Sequence, residues 1–426
     1  MRNFLTSDKN RDRSAVIWNA FSATMNSFQT TLLLIVLTRA GTDTDSSIFV
    51  IAYAVGNLML QIGKYGVRQF QVTDTAEAYT FRDYLYARVF TFGLMLLASL
   101  VYAGYNLASG QYTAQKALVV LLICLVKAVE AFEDVFHGRL QQLGRLDIAG
   151  RILGIRLFLF ILLYALLFLG TGDLLLTTAV SLLVTLLLSI TMNYSVRAEF
   201  CMACESSARR VRSLLAACAP LCVSTCLNMY VANAPKYIID SVVSDETQTA
   251  LNIVFMPVFV IALLGTFIFQ PILKKMAFMW HEKRIGEFGR VILRLVGTVV
   301  LLTAVIAIAG YFMGIPALQL VYGVDLTSYR LLLVVFIIDG GIIAMQNLLI
   351  MVITIARRQG RMIYGYLAAA LAELLFGGRI LRQFGLMALC LYFTFVMTLL
   401  MLYFVLITFV SIRKAKADAG SKKSGK

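Results

Sequence analysis

Five residues that could bind ions or a polar ligand, Lys127, Glu130, Asp134, His137 and Gln141, recur at steps of three and four. On a helix that spacing puts them on one face. Tyr53, Asn57, Gln61, Lys64 and Arg68 form a second such series that ends in two cations. A third, Asn19, Ser22, Asn26 and Gln29, is polar and uncharged. Asn233, Lys236 and Asp240 gather around Pro235, with the last two spaced i, i+4, while Asp339 and Glu373 have no cation close in sequence. Such groups can hold a polar or anionic ligand, or take up and release a cation, and inside a membrane ionisable residues mark functional sites by default. The competing reading is that the stripes hydrogen-bond one helix to the next. Lys127 can pair with Glu130 one turn away, and the lower members of its stripe are expected to reach water. Asp339 and Glu373 either take up a proton or pair across helices. Lys127, Glu130, Asp339 and Glu373 are therefore the candidates for ion coupling, and Asn26, Gln61, Lys64, Arg68, Asn233, Lys236 and Asp240 those for substrate binding.

Metal and phosphoryl chemistry find little footing. His137 and His281 are the two histidines, too few for a multi-histidine site. No phosphate-loop motif occurs, since Gly63-Lys64-Tyr65 lacks both the upstream glycine and the hydroxyl residue. Cys201 and Cys204 form a C-x-x-C, and Cys218, Cys222 and Cys226 follow at every fourth position. That second set reads as small apolar residues that let helices approach.

The elements that must carry these residues are membrane helices. The chain has 426 residues, 60% of them hydrophobic and 14% charged, with a net charge of +15 and a mean hydropathy of +0.82. Soluble domains are less apolar and nearer one-quarter charged. Apolar runs long enough to cross a bilayer as helix lie at 14–38, 46–63, 89–108, 116–136, 152–170, 174–196, 214–234, 249–273, 292–313, 331–356, 363–380 and 384–411. With the N-terminus inside, 31 of the 38 Lys and Arg fall on the cytoplasmic side. That sorting predicts an even number of spans with both ends cytoplasmic. It also makes the basic excess a record of orientation and not a nucleic-acid footprint.

The division expected is six spans and six: a first bundle over 1–213 with its linker, a second over 214–411, and a basic tail over 412–426 that rests on anionic lipid. Gly56-Asn57-Leu58-Met59-Leu60-Gln61 and Gly265-Thr266-Phe267-Ile268-Phe269-Gln270 end the second and eighth spans, and Gly144-Arg145 and Gly360-Arg361 follow the fourth and tenth. The common six-span offset predicts parallel repeats. Pro220, Pro235, Pro257 and Pro271 fall in or beside the seventh and eighth spans, which makes those helices candidates for hinges.

Ala219-Pro220-Leu221, Asn228-Met229-Tyr230 and Asn233-Ala234-Pro235-Lys236-Tyr237-Ile238-Ile239-Asp240 resemble the seventh-helix region of bacterial polysaccharide exporters. These are lipid-linked oligosaccharide flippases of the multidrug/oligosaccharidyl-lipid/polysaccharide exporter superfamily. Val321-Tyr322-Gly323-Val324-Asp325 through Tyr329, and Phe132-Glu133-Asp134 through Arg145, are similar to that family as well. The pattern departs at Thr249-Ala250-Leu251-Asn252, where the family often has Gly-Tyr. The resemblance implies two six-helix bundles in a V around a central cavity lined by helices 1, 2, 7 and 8. Its cargo would be a polyprenyl-pyrophosphate-linked oligosaccharide turned over in the bacterial cytoplasmic membrane by alternating access. The partners implied are the lipid-linked glycan, membrane lipids and other polysaccharide-assembly membrane proteins. No cofactor is implied beyond coupling to H+, Na+ or the membrane potential. A multidrug/cation antiporter of the same superfamily is the alternative, against which the cations Lys64, Arg68 and Lys236 count. An outer-loop Asp43-Thr44-Asp45 leaves a membrane glycosyltransferase or polymerase as the more distant one.

Overall fold

The computed structural model describes residues 11–74, 78–197, 200, 205–240, 242–356 and 358–421, so Cys201 and Cys204 lie outside the described residues. These residues are all-α: α1 (Arg11–Ala40), α2 (Asp43–Lys64), the short α3 (Val67–Thr73), α4 (Phe81–Ala108), α5 (Ala114–Gln142), α6 (Leu146–Thr171) and α7 (Leu174–Ser195). They continue as α8 (Ala208–Ile239), α9 (Asp245–His281), α10 (Ile285–Ala309), α11 (Ile315–Tyr322), α12 (Arg330–Ile355), α13 (Met362–Ala372) and α14 (Gly378–Ser421). Two π-helical turns, Gly310–Gly314 and Glu373–Gly377, join α10 to α11 and α13 to α14. Within α14 the helix breaks at Gly385 (φ 81°, ψ −176°). Counted as continuous rods between turns and that break, the long helices among the described residues number twelve, one for each expected span. Nine described segments are long and apolar enough to cross a membrane by themselves, and the chain is a multi-pass membrane protein.

Local sequence sets the ends of these rods. Thr42 and Thr80 close capping boxes with Asp45 and Asp83, and Thr113, Asp173 and Ser244 cap α5, α7 and α9 through their side chains. Between α2 and α3 the backbone turns through two successive left-handed residues, Tyr65 (φ 49°) and Gly66 (φ 69°). A Cβ at Gly66 would also lie 2.7 Å from Leu221 Cδ2, so geometry and space both require glycine. The prolines leave α8 and α9 as continuous helices. Breaks in α-helical geometry occur at the two π turns, the first of them just before Pro316, and at Gly385; in α8 and α9 neighbouring groups of a membrane bundle can re-satisfy what proline frees.

The chain divides into two compact units, Met1–Met229 and Tyr230–Lys426, with the division inside α8. In the first, α5 is the hub, packed on α2, α4 and α7; in the second, α12 packs on α9, α10 and α14. Shifted by six rods, these are the same pairings. The two Gly-initiated strings mark one of them: a Cβ at Gly56 would touch Ile123 on α5 at 3.1 Å, and one at Gly265 would touch Ala344 on α12 at 3.0 Å. Around the hubs the usual polarity of a soluble helix is inverted. On α4, Ala87, Arg88, Thr91, Ser99, Ala103 and Asn106 are buried, while Val89, Phe90, Leu97, Leu100 and Val101 are exposed. Small and polar residues make the helix contacts in lipid because apolar side chains are already solvated there.

Candidate functional site

The site of the first unit begins with the close approach of α2 to α5. Gly63 allows it, since a Cβ there would stand 2.8 Å from Ala131 Cβ. Lys64, the last residue of α2, then meets Glu130 Oε1 at 2.8 Å, and Glu130 Oε2 faces the Lys127 ammonium at 3.4 Å. Lys127 also donates to Gln29 Oε1 (3.3 Å) and sits 5.2 Å from the centre of the Tyr53 ring. After the Tyr65–Gly66 turn, Arg68 on α3 reaches Asp134 Oδ1 at 3.3 Å and donates to Gln141 Oε1 at 3.0 Å. Asp134 Oδ2 is held at 2.9 Å by Arg88 of α4, whose other nitrogen donates to the Gly63 carbonyl alongside Thr91 Oγ1 (2.9 Å).

One turn away from that chain, Glu133 pairs with Arg156 (2.8 Å) and accepts from Asn193 Nδ2 (3.2 Å). The packing that fixes α3 beneath the network is apolar: Val67, Phe81, Tyr84, Val135, Leu214 and Cys218 share one buried cluster. Phe81 and Phe136 pack on Phe200 with ring centroids 5.6 and 5.0 Å apart.

Exposure separates the four cations into two kinds. The side chains of Lys64 and Arg68 are 31% and 30% exposed, while those of Lys127 and Arg88 are 5% and 0%. The exposed pair faces a cavity of about 510 Å³ lined by Gln61, Lys64, Arg68, Asp134, Gln141 and Thr225, among others. A slightly larger hollow of about 550 Å³ lies at Tyr86, Phe90, Val211 and Leu215, with Arg212 as its one charged wall residue. Polar lining singles out the first as the candidate ligand site.

Several expectations change on contact with this geometry. Tyr53 to Arg68 is not one uninterrupted helical face, because the left-handed turn at Tyr65–Gly66 separates Lys64 from Arg68. The stripe on α5 reaches the cavity at Asp134 and the half-buried Gln141, but Asp134 and His137 are themselves buried, and the carboxylates are taken by cations of α2, α3 and α4. The uncharged stripe splits as well. Asn19 donates to the Leu146 carbonyl of α6 (3.3 Å), Gln29 serves Lys127, and Asn26 is exposed.

In the second unit Lys236 is buried over the rings of Phe255 and Phe259, at 5.2 and 5.0 Å. The spacing of Lys236 and Asp240 does not make them an ion pair among the described residues; Asp240 accepts from Gln248 Nε2 at 3.0 Å. Asn233 is buried nearby. Asp339 on the hub helix and Glu373 on the π turn are both fully buried, and neither carboxylate has a hydrogen-bond or ion-pair partner among the described residues. The Thr394 hydroxyl beside Asp339 donates to the Cys390 carbonyl instead (3.1 Å). Neither acid has a cation within ion-pair distance among the described residues. No cluster of three or more metal-ligating His, Cys, Asp or Glu occurs among the described residues.

Arg88, Glu133 and Arg156 were not among the sequence candidates. A signal for Arg88 existed: the Thr80-x-x-Asp83 capping box starts α4 at Phe81, about two turns before Arg88. A hydropathy boundary at 89 leaves it in a loop.

No family model and no curated protein matches the sequence. Among solved structures, the chain superposes on an inward-facing multidrug resistance MATE family transporter of the MOP superfamily, with a TM-score of 0.64 at 11% identity over 95% of this chain and 98% of the other. The bent form of the MATE transporter VcmN from Vibrio cholerae gives 0.60 at 12% identity, covering 95% and 98%. A MOP superfamily transporter from Pyrococcus furiosus, described as having a binding pocket of reverse polarity that suggests a different function, gives 0.57 at 13% identity over 97% and 98%. The fold is that of the MATE transporters.

Proposed function

We propose that this chain is an alternating-access transporter that carries an amphiphilic cargo across the bacterial cytoplasmic membrane, with both termini inside. The observation that carries the reading is a polar cavity with two half-exposed cations, Lys64 and Arg68, built into an otherwise apolar multi-pass protein. Between the two cargo readings, two of the structural neighbours favour the multidrug one, being described as a multidrug resistance MATE family transporter and a MATE transporter, and none of the three is described as moving a lipid-linked oligosaccharide. Lys64 and Arg68 add a charge preference, since cations at a cavity wall attract anionic and repel cationic ligands. A flippase for polyprenyl-pyrophosphate-linked oligosaccharide is the second reading, and that charge preference is what favours it.

Asp339 and Glu373 are the groups we assign to coupling. A buried carboxylate without a cation is costly, and binding H+ or Na+ removes that cost, which ties their occupancy to an ion gradient. Purified protein in proteoliposomes tests the whole reading. Efflux of an anionic amphiphilic dye, a cationic dye and a fluorescent polyprenyl-pyrophosphate oligosaccharide would be followed under imposed H+, Na+ and voltage gradients. The anionic dye is expected to move faster than the cationic one. Transport confined to the cationic dye would refute the charge preference, and no movement of any cargo would refute the transporter reading.

A further inference from the structure

Each carboxylate at the centre of the network is divided between two cations of different kinds. Glu130 gives one oxygen to Lys64 at the cavity wall (2.8 Å) and the other to buried Lys127 (3.4 Å). Asp134 gives one to Arg68 at the wall (3.3 Å) and the other to buried Arg88 (2.9 Å). Four cations thus share two carboxylates, which leaves an excess of two positive charges on the chain of contacts, while Glu133 and Arg156 neutralise each other beside it. An excess of that size beside a polar cavity is completed by a ligand carrying about two negative charges. A lysine ammonium next to an arginine fork is the pairing that suits a phosphate or pyrophosphate group.

We infer that Glu130 and Asp134 are built-in counter-anions that hold Lys64 and Arg68 while the cavity is empty and release them to the phosphate or pyrophosphate group of a ligand. Lys127 and Arg88 are the positioning residues that make the release affordable. Truncating one partner of a buried ion pair is costly because the other charge is stranded, and here each carboxylate keeps a buried cation after the exchange. Arg88 is fixed for this role by its second bond to the Gly63 carbonyl, and Lys127 by Gln29 and the Tyr53 ring. The exchange also rejects monovalent or uncharged ligands, which gain less from Lys64 and Arg68 than the two carboxylates already supply. The inference rests on the reading of this cavity as the cargo site.

The test is ligand binding to the full-length protein in detergent, by titration calorimetry, with inorganic pyrophosphate and farnesyl pyrophosphate as separate probes. Glu130→Gln and Asp134→Asn remove an internal competitor and are expected to bind about tenfold more tightly than the unmodified protein, or about 1.4 kcal/mol. Lys64→Met and Arg68→Met are expected to lose at least tenfold. Lys127→Met makes Lys64 the sole cation of Glu130 and is expected to weaken binding several-fold without touching the ligand.

Carboxylates with a purely structural role would give unchanged or weaker binding in Glu130→Gln and Asp134→Asn, and that result overturns the inference. Should either fail to fold, Lys127→Met decides: binding as tight as or tighter than the unmodified protein overturns it. Binding of both probes assigns recognition to the phosphates alone, binding of farnesyl pyrophosphate alone adds the lipid, and binding of neither refutes the site. Loss of the predicted pattern with transport intact would leave the transporter reading standing. The predicted pattern without transport would do the reverse.

Discussion

Arg88→Met removes the one fully buried cation of the network and should destabilise the first unit by about 3 kcal/mol. Arg88 makes two charge-assisted contacts, to Asp134 Oδ2 at 2.9 Å and to the Gly63 carbonyl. Hydrogen bonds to charged groups contribute about 1.5–3 kcal/mol each, so about 3–6 kcal/mol is at stake. Two features reduce the loss. Thr91 still donates to the Gly63 carbonyl at 2.9 Å, and Asp134 keeps Arg68 at 3.3 Å, although that arginine is 30% exposed and screened accordingly. Methionine fills most of the volume, so no large cavity term is added. What remains approaches the roughly 3–5 kcal/mol seen when one partner of a buried pair is deleted.

The assay is a double-mutant cycle in detergent, with Arg88→Met, Asp134→Asn and the double variant followed by loss of the monodisperse fraction on heating. Because heat unfolding of such a protein is irreversible, the comparison is between rates at one temperature. The double variant is expected to lose less than the sum of the singles, since contacting residues couple by about 0.5–3 kcal/mol. Arg88→Met within about 0.5 kcal/mol of the unmodified protein, the range of ordinary surface changes, would refute the idea that Arg88 anchors Asp134.

Asp339→Asn and Glu373→Gln each remove a buried charge without a partner, so both variants should fold at least as well as the unmodified protein while losing the gradient dependence of dye efflux in proteoliposomes; gradient dependence retained in both singles removes them as coupling groups. Gly63→Ala forces α2 off Ala131, and overpacking of this kind costs about 1–3 kcal/mol. The measurement is thermal inactivation, which should quicken as α2 is forced off α5. On the loop before α12, Asp325 accepts from Thr327 Oγ1 (2.6 Å), Thr327 N–H (3.0 Å) and Gln319 Nε2 (2.8 Å), and the Thr327 bonds hold its carboxyl below the usual carboxylate range. A lowered value favours the folded loop above the unfolded carboxylate pKa of about 3.9 and withdraws that support as pH falls below it. Amide exchange in the loop should therefore quicken in acid, after correction for intrinsic rates, and Asp325→Asn should abolish the dependence.

The twelve rods were legible because lipid imposes a minimum apolar length that the chain meets at every span. Even α5, whose charges keep it from being called a membrane helix on hydropathy alone, was recoverable from its apolar flank and the sorting of basic loops around it. What periodicity could not supply was the partner of each polar residue. The spacing of Lys127 and Glu130 showed one pair, but Glu130 takes Lys64 from a helix 66 residues away and Asp134 takes Arg88 from 46 away. A helical wheel carries no information on such pairings. The turn at Tyr65–Gly66 was hidden for a related reason: the Lys64 to Arg68 spacing fits a continuing helix, and only the left-handed backbone of both residues shows the bend. Lys236 and Asp240 illustrate the reverse error, since helical adjacency suggested a pair where each side chain found another partner.

The two hubs present the same element with opposite electrostatics. On α5, every buried carboxylate has a cation within ion-pair distance: Glu130, Glu133 and Asp134 are all neutralised. On α12, Asp339 has none among the described residues, and Glu373 on the neighbouring π turn has none either. A membrane bundle can bury acids by pairing them permanently or by pairing them with something that comes and goes. The first solution keeps its charge state whatever the ion gradient; the second depends on it. π turns inside helices occur frequently at functional sites, and Glu373 begins one. On the proposed reading, cargo charge is therefore sensed in the first unit, where protein anions give way to ligand anions, and the driving ion is sensed in the second, where no protein cation competes for the acids. The division makes the two functions separable by mutation: Glu130→Gln should change cargo affinity and leave gradient dependence intact, while Glu373→Gln should do the opposite. A single variant of either residue that alters both to the same degree would show that the two units do not divide the work in this way.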